Sequence, residues 1–307
     1  SAYHVGAAAQ YIIEDLAKIP VRVELASEFR YRNMPLTKNS LALIISQSGE
    51  TADSLAAMRL AKQNGIKTLA IVNVVGSTIA RESDNVFYTM AGPEIAVATT
   101  KAYSAQLIAC YVLAMELARV RGTITPTYYE NLIGEIQSLP EKIDEILDEK
   151  EILEEVACRF VNARNAFYLG RNIDYAVAME GSLKMKEISY INSQAYAAGE
   201  LKHGTISLVE EGTPVIALAT QEDVFTKTAA NLCEVKARGA YTILITEEKF
   251  LSREFEADKV IAVPDTADPF AVSLAVVPMQ LLSYYTAKNR GCDIDKPKNL
   301  AKSVTVE

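Results

Sequence analysis

Three charged residues in one short stretch have the types and spacing for proton transfer. Glu180, Lys184 and Glu187 are separated by four and three residues, so a helix over residues 176–190 would place them on one face. Burial raises the pKa of a carboxyl group and lowers that of an amine, while their mutual attraction does the opposite. Such a group suits general acid–base catalysis. An ordinary surface ladder of ion pairs is the alternative, because it has the same pattern.

Two further residues could act on a carbonyl group. His203 lies beside Gly204 in a predicted loop, where functional residues concentrate, although a structural histidine is the alternative. Lys302 lies in a C-terminal tail that alternates apolar residues and could dock against the protein instead of fraying. A desolvated lysine is a standard partner for a sugar carbonyl.

A turn in the first half has the composition of an anion site. Its residues are Ser46, Gln47, Ser48, Gly49, Glu50 and Thr51. Hydroxyls donate to phosphate oxygens, glycine lets the backbone approach closely, and the N-terminus of the following helix favours negative charge. Alternatively, Ser48 or Thr51 only caps that helix.

The elements that would position these residues alternate along the chain. Helices are predicted over residues 7–17, 51–64, 100–121, 176–190 and 223–238. Strands are predicted over residues 21–25, 41–45, 68–72, 83–90, 166–171, 214–218 and 242–245. This order indicates an α/β fold of two domains, each with a parallel sheet flanked by helices on both faces in a doubly wound, flavodoxin-like arrangement.

An internal repeat supports this organisation. Residues 61–71 match residues 235–245 at an offset of 174, with a glycine stop and an apolar strand in register. The same offset carries Ser46 to Thr220, which Glu222 and Asp223 follow and no glycine does. Because carboxylates repel an anion, the phosphate turn is expected only in the first half.

Domain boundaries follow from the same pattern. We predict a first domain over residues 1–127, a helical connector over 128–163, a second domain over 164–290 and a C-terminal tail over 291–307. The connector carries an acidic run over 144–149, interpreted as a solvated helix face, and Pro140 is predicted to break it. The chain opens at Ser1 without an initiator methionine or a leading apolar strand. We therefore expect it to begin inside a domain and the first domain to lack its N-terminal strand.

Composition restricts the function classes. The 307 residues carry a formal charge of −8, which argues against a nucleic-acid partner. Four widely spaced cysteines form no CxxC pair, which favours a reducing, cytoplasmic setting over a zinc ribbon or a disulfide framework. The apolar stretch over residues 105–118 is too short for a bilayer, so it is expected to be a buried helix.

The motifs together resemble one family. Residues 46–53, 91–102, 186–190, 195–204 and 299–307 resemble the isomerase half of the glutamine–fructose-6-phosphate aminotransferases, which consists of two sugar isomerase (SIS) domains. The resemblance covers essentially the whole chain. It implies ketose–aldose isomerisation in a metal-independent homodimer without a cofactor, in which fructose 6-phosphate and ammonia give glucosamine 6-phosphate. Ammonia would come from a glutaminase domain that this chain does not contain.

The resemblance also implies roles for individual residues. Glu187 would move a proton between C2 and C1 with Lys184 beside it, His203 would assist ring opening from the partner subunit, and Lys302 would meet the C2 carbonyl as a Schiff base or an electrostatic aid. The sugar phosphate would be held by Ser46, Gln47, Ser48, Thr51, Val97, Thr99 and Ser1.

One departure from the family affects the phosphate pocket. The family carries Cys-Gly-Thr-Ser before a tyrosine, whereas only Ser1 and Ala2 precede Tyr3 here, and Ala2 cannot supply the hydroxyl of that serine. Two other functions fit the same residues. One is a related deglycase or deaminase of another amino sugar phosphate, and the other is a non-catalytic sugar-phosphate sensor.

Overall fold

The computed structural model describes residues 1–33 and 35–302, and the chain divides into two compact units. The first unit comprises Ser1–Ile124 and the segment that begins at Asn299, and the second comprises Thr125–Lys298. Residues 128–163 thus group with the second unit and Lys302 with the first. The domain boundaries predicted from the sequence stay a prediction.

The first unit is an α/β unit with one parallel sheet. Its elements are α1 (Ala2–Ala17), α2 (Ala26–Phe29), β1 (Leu41–Ser46), α3 (Ala52–Gln63), β2 (Lys67–Val72), α4 (Thr78–Glu82), β3 (Asn85–Tyr88) and α5 (Lys101–Arg121). The strands lie in the order β1-β2-β3, and Ser46 is opposite Val72. Ile44, Met58 and Ile79 are among the residues that fill the core between this sheet and its helices. The carboxyl ends of all three strands therefore meet at one edge, where ligands bind in open α/β sheets.

The predicted strand over residues 21–25 is wrong, because this segment is irregular. The second unit explains the difference. There the strand at the equivalent place in the repeat, Asn192–Ala197, is at the edge of the sheet and pairs with a single neighbour. Among the described residues the segment has no strand to pair with, and an isolated strand is not stable.

The second unit contains the larger sheet. Its elements are α6 (Pro126–Asp148), α7 (Lys150–Ala157), β4 (Asn165–Gly170), α8 (Ile173–Ser189), β5 (Asn192–Ala197), β6 (Pro214–Ala219), α9 (Phe225–Lys236), β7 (Tyr241–Glu247), β8 (Lys259–Val263) and α10 (Ala271–Asn289), with short 3-10 helices over Cys158–Phe160, Ala198–His203, Thr205–Leu208, Glu222–Val224, Glu248–Phe250 and Asp268–Phe270. The strands are parallel in the order β5-β4-β6-β7-β8. Both units thus confirm the predicted α/β class.

Helices α8 and α10 pack against each other in the second unit. The region Asp268–Asn289 is long and apolar enough to cross a membrane by length and composition, but 83% of its apolar window is buried inside the structure. A core helix passes that test as readily as a membrane span, so it is weak evidence for one.

The predicted break at Pro140 is also wrong, because Pro140 lies inside α6. Leu132, Leu139 and Ile146 are buried at seven-residue spacing on both sides of it. This apolar stripe anchors both halves of the helix and offsets the backbone hydrogen bond that proline removes. The acidic run is confirmed as a solvated face, since Asp144, Glu145, Asp148 and Glu149 are all exposed.

The duplication is visible as repeated hydrogen bonds. The Asp84 carboxylate accepts bonds from Thr68 N–H and Oγ1–H at 2.8 and 2.9 Å, and the Asp258 carboxylate accepts the same two bonds from Thr242 at 2.8 and 2.7 Å. These residues keep the offset of 174. The two units therefore share a strand-to-strand geometry as well as an order of elements.

The pairing register of the strands changes the alignment of the two copies at the turn by one residue. Leu41 faces Lys67, whereas Pro214 faces Tyr241, so β1 and β6 are offset by 173 while their partner strands are offset by 174. The counterpart of Gln47 in the second unit is therefore Thr220.

Candidate functional site

The Ser46–Thr51 turn follows β1 directly and is held by its own hydroxyl groups. Buried Ser46 Oγ accepts a bond from Gly49 N–H at 3.1 Å and lies 3.2 Å from Thr51 Oγ1. Ser48 Oγ accepts a bond from Glu50 N–H at 3.2 Å. Thr51 is the N-cap residue of α3, yet its side chain makes no capping bond. The side chain of Thr51 therefore does not cap α3.

Gly49 is required at its position for two reasons. Its φ is +66°, and a Cβ there would collide with the side chain of Ser77. The backbone is also fixed from α4, since Ile79 N–H donates to Gly49 O at 3.0 Å and Thr78 N–H donates to the Glu50 carboxylate at 2.7 Å. The Thr78 bond lowers the pKa of Glu50. The one carboxylate of the turn is thus held at α4.

Asn73, which follows β2, connects the turn to the next loop. Its backbone N–H donates to Gln47 O at 3.2 Å, and its Nδ2 donates to Gly92 O at 2.8 Å. Its Oδ1 accepts bonds from Ala91 N–H at 2.8 Å and from Thr89 Oγ1–H at 3.1 Å. Sequence reasoning missed this residue. A polar side chain at the carboxyl end of a parallel strand was the available signal.

The loop that Asn73 holds leads to the residues expected to touch the sugar. Glu94 accepts a bond from Ala102 N–H at 2.9 Å and so joins this loop to the start of α5. Half-buried Val97 and Thr99 lie within the loop, and Thr99 N–H donates to Val97 O at 2.8 Å.

Lys302 docks on the same loop. Its Nζ donates to Ala96 O and to Thr99 Oγ1, both at 2.7 Å. Lys302 thus docks within the first unit, and its role at a sugar carbonyl stays a prediction. The rest of the predicted tail motif, residues 303–307, lies outside the described residues. Ser1, also expected at the sugar, is the N-cap residue of α1 and its side chain makes no capping bond.

The acid–base triplet lies on α8 in the second unit and is largely buried. Lys184 Nζ lies 3.3 Å from Glu180 Oε1 and 2.7 Å from Glu187 Oε2. The side chains of Glu180 and Lys184 are 0% and 2% exposed, whereas that of Glu187 is 19% exposed. The surface-ladder alternative is therefore wrong. A carboxylate that reaches solvent beside a buried ammonium has the chemistry of a general base.

His203 is exposed at the end of the 3-10 helix over Ala198–His203, and Gly204 follows it with φ +147°. None of the described contacts joins His203 to the triplet. Across the described residues there is also no group of three or more His, Cys, Asp or Glu that could hold a metal ion.

Asp174, on the first turn of α8, is a second residue that sequence reasoning missed. Its buried carboxylate accepts bonds from Thr220 N–H at 2.9 Å and Thr220 Oγ1–H at 2.6 Å. Burial raises its pKa to about 6, against the lowering effect of these bonds. An acidic residue in a first helical turn is common, so no pattern in the sequence distinguishes it.

Comparison with known proteins is consistent over the whole chain. The sequence model of the SIS domain matches residues 1–116 and 159–289. All 307 residues align with proteins named glutamine–fructose-6-phosphate aminotransferase (isomerizing), at 55% identity in Caldanaerobacter subterraneus subsp. tengcongensis and 54% in Clostridium tetani. The chain spans about half the length of these curated relatives.

Solved structures agree with the sequence relatives. The C-terminal domain of glucosamine-fructose-6-phosphate aminotransferase from Francisella tularensis is 37% identical with a TM-score of 0.93, and the match covers 96% of this chain and 84% of that one. A glucosamine-6-phosphate deaminase from Thermotoga maritima is 26% identical with a TM-score of 0.81, over 98% and 87% of the two chains.

Proposed function

The chain belongs to the SIS domain family, and on that premise we propose that it is the isomerase half of a glutamine–fructose-6-phosphate aminotransferase. In this proposal it converts fructose 6-phosphate and ammonia to glucosamine 6-phosphate, in the cytoplasm and as a homodimer. The observation that carries the proposal is the buried triplet on α8, because a protein that only binds sugar phosphate has no use for it. The similarity to named relatives over the full chain supports the same substrate.

The first unit is assigned the phosphate. Gln47, Ser48 and Thr51 are half-buried in the turn, and Ser48 and Thr51 carry hydroxyls that can donate to a phosphate. The N-terminus of α3 favours a dianion there. Ser46 was expected to hold the phosphate, but here it is assigned the role of shaping the turn. Its buried hydroxyl contacts Gly49 N–H and the Thr51 hydroxyl.

The second unit is assigned the proton transfer. Ammonia and the C2 carbonyl give an imine and water, and Glu187 then removes a proton from C1 while the imine nitrogen gains one, which gives an enolamine. Returning the proton to C2 while the C1 hydroxyl gives up its own proton leaves an aldehyde at C1 and the amine on C2, so atoms and charge balance. The Lys184 ammonium, 2.7 Å from Glu187, stabilises the carboxylate before and after each transfer.

Lys302 and His203 are assigned the carbonyl and the ring. As a free amine, the Lys302 side chain forms a Schiff base with the C2 carbonyl, and as an ammonium it polarises the carbonyl oxygen. In the structure it donates to two oxygens of the 96–99 loop, so it must leave these acceptors to react. Exposed His203 would protonate the ring oxygen during opening, from the partner subunit.

Replacing the base tests this proposal. Glu187→Gln should reduce exchange of the C1 proton with deuterated water by about 10²–10⁴-fold while sugar-phosphate binding persists. Lys186→Gln, at an exposed neighbouring position, is the matched control and should exchange normally. Undiminished exchange in Glu187→Gln would refute the assignment.

A deaminase is the second candidate, favoured by the similarity to the Thermotoga maritima enzyme. The two functions use the same proton transfer in opposite directions. Initial rates with fructose 6-phosphate plus ammonia, compared with rates of ammonia release from glucosamine 6-phosphate, separate them.

A further inference from the structure

The turn after β6 in the second unit already contains an anion. Thr220, the register counterpart of Gln47, points both its N–H and its hydroxyl at the Asp174 carboxylate. The backbone N–H of the next residue, Gln221, also lowers the pKa of this carboxylate. A backbone N–H and a hydroxyl of a strand-to-helix turn that converge on one carboxylate have the arrangement of an anion site.

The position of Asp174 has a counterpart in the first unit. Helices α1 and α8 both end at a residue in the left-handed conformation, Lys18 with φ 53° and Tyr190 with φ 61°. This alignment puts Asp174 opposite Ala2, the first residue of α1. The methyl group of Ala2 cannot accept a hydrogen bond from a turn, whereas the Asp174 carboxylate accepts two from Thr220 in the second unit.

We propose that the Asp174 carboxylate is a built-in ligand that occupies the second unit's equivalent of the phosphate turn and closes it to phosphoryl and carboxylate ligands. That the turn of the first unit binds phosphate rests on the proposed function. The closure of the equivalent turn in the second unit does not depend on that function. The surrounding charges agree with an internal ligand. Glu222 and Asp223 on the same turn are exposed carboxylates, and buried Glu247 at the end of β7 is a third acidic group. Arg253 pairs with Glu222 and Lys249 with Glu247, but together with Asp174 the carboxylates outnumber these two cations, so a further anion would be repelled.

Removing the internal ligand tests the proposal. Asp174→Ala leaves a space of the size of a carboxylate, which formate can fill. In sodium formate the melting temperature of this variant should exceed its value in sodium chloride of equal ionic strength by about 2–4 °C, whereas the unaltered chain should show no difference. Equal responses of the variant and the unaltered chain would overturn the proposal.

Asp258→Ala is the matched control. The Asp258 carboxylate also accepts an N–H and a hydroxyl bond from one threonine, Thr242, which lies at the amino end of β7. The Asp258 side chain, however, is 33% exposed. Water can replace the lost acceptor there, so formate should not change its stability. An equal formate effect in both variants would show a general salt effect and would overturn the proposal.

A measurement that needs no alteration of Asp174 covers the case in which Asp174→Ala does not fold. Titration of the unaltered chain with inorganic phosphate should give at most one site, lost in Ser48→Ala/Thr51→Ala. A phosphate site that survives this double substitution and disappears in Thr220→Val would overturn the proposal. Failure of the proposed isomerase function would instead appear in the Glu187→Gln exchange assay and would leave the formate result unchanged.

Discussion

The buried ammonium of Lys184 allows a stability prediction from the structure. Lys184 lies between the carboxylates of Glu180 and Glu187, and both Lys184 and Glu180 are excluded from water. Lys184→Met removes the ammonium that lies 3.3 Å from the buried Glu180 carboxylate, while Glu187 retains access to solvent. Breaking a buried pair in this way costs about 3–5 kcal/mol. For a unit of this size we expect the melting temperature to fall by about 6–20 °C.

The assay is thermal unfolding followed by circular dichroism, together with a second substitution. Glu180→Gln combined with Lys184→Met removes both buried charges, so most of the lost stability should return. Isomerase activity should stay low in both the single and the double variant, because the ammonium beside Glu187 is absent from each.

Lys186→Met provides the control on the same helix, since Lys186 is exposed. We expect its melting temperature to stay within about 2 °C of the unaltered chain, as for other surface substitutions. Two results would contradict a stabilising ion pair of Glu180 and Lys184. One is a melting temperature of Lys184→Met equal to that of Lys186→Met, and the other is a double variant that is less stable than Lys184→Met.

Three further predictions concern Asp174 and the first unit. Because burial raises the pKa of Asp174 to about 6, the folded state holds its proton at pH values where the unfolded state has lost it, so the free energy of unfolding should fall by about 2 kcal/mol between pH 4 and pH 6.5 and then level off. Urea titrations measure this slope, and an equal slope in Asp174→Asn would contradict it. Asn73→Ala should raise KM for the sugar phosphate about tenfold through loss of its loop contacts, while Asn64→Ala, whose amide bonds only its own helix end at Leu60 O, should not; steady-state kinetics of both variants decide. Gly49→Ala should lower the melting temperature and abolish phosphate binding, whereas Gly65→Ala, with a similar φ of +73° but open space around it, should cost only its backbone strain; equal binding by the two would refute the role of the close contact.

Local pattern was enough to predict β1, α3 and β2 to within a residue or two. Each has an apolar period, and Gly65 marks the end of the helix. The segment over residues 21–25 has the same apolar character but is irregular, because strand formation depends on a neighbour that the sequence pattern does not reveal. The failed break at Pro140 has a similar cause, since tertiary packing of the helix on both sides overrides a local penalty.

The site could be predicted in part for related reasons. Spacing alone put Glu180, Lys184 and Glu187 on one helical face, but an exposed ladder has the same spacing, so only the packing of α8 distinguishes the two. The roles of Asn73 and Asp174 depend on contacts between residues far apart in the chain. Such contacts have no local signature.

The internal ligand of the second unit follows from a general requirement on duplicated binding turns. When a copy of an anion-binding turn loses its ligand, its inward-facing N–H and hydroxyl groups remain, and leaving them buried without acceptors costs about 1–3 kcal/mol each. A glycine-free turn with acidic residues cannot recruit an anion from solution, so the acceptor must come from the chain itself. Thr220 obtains it from Asp174 at the start of the preceding helix. We therefore expect one sequence feature to mark the unit whose turn does not bind phosphate. It is a carboxylate at the first turn of this helix, where the other copy has a small residue such as Ala2.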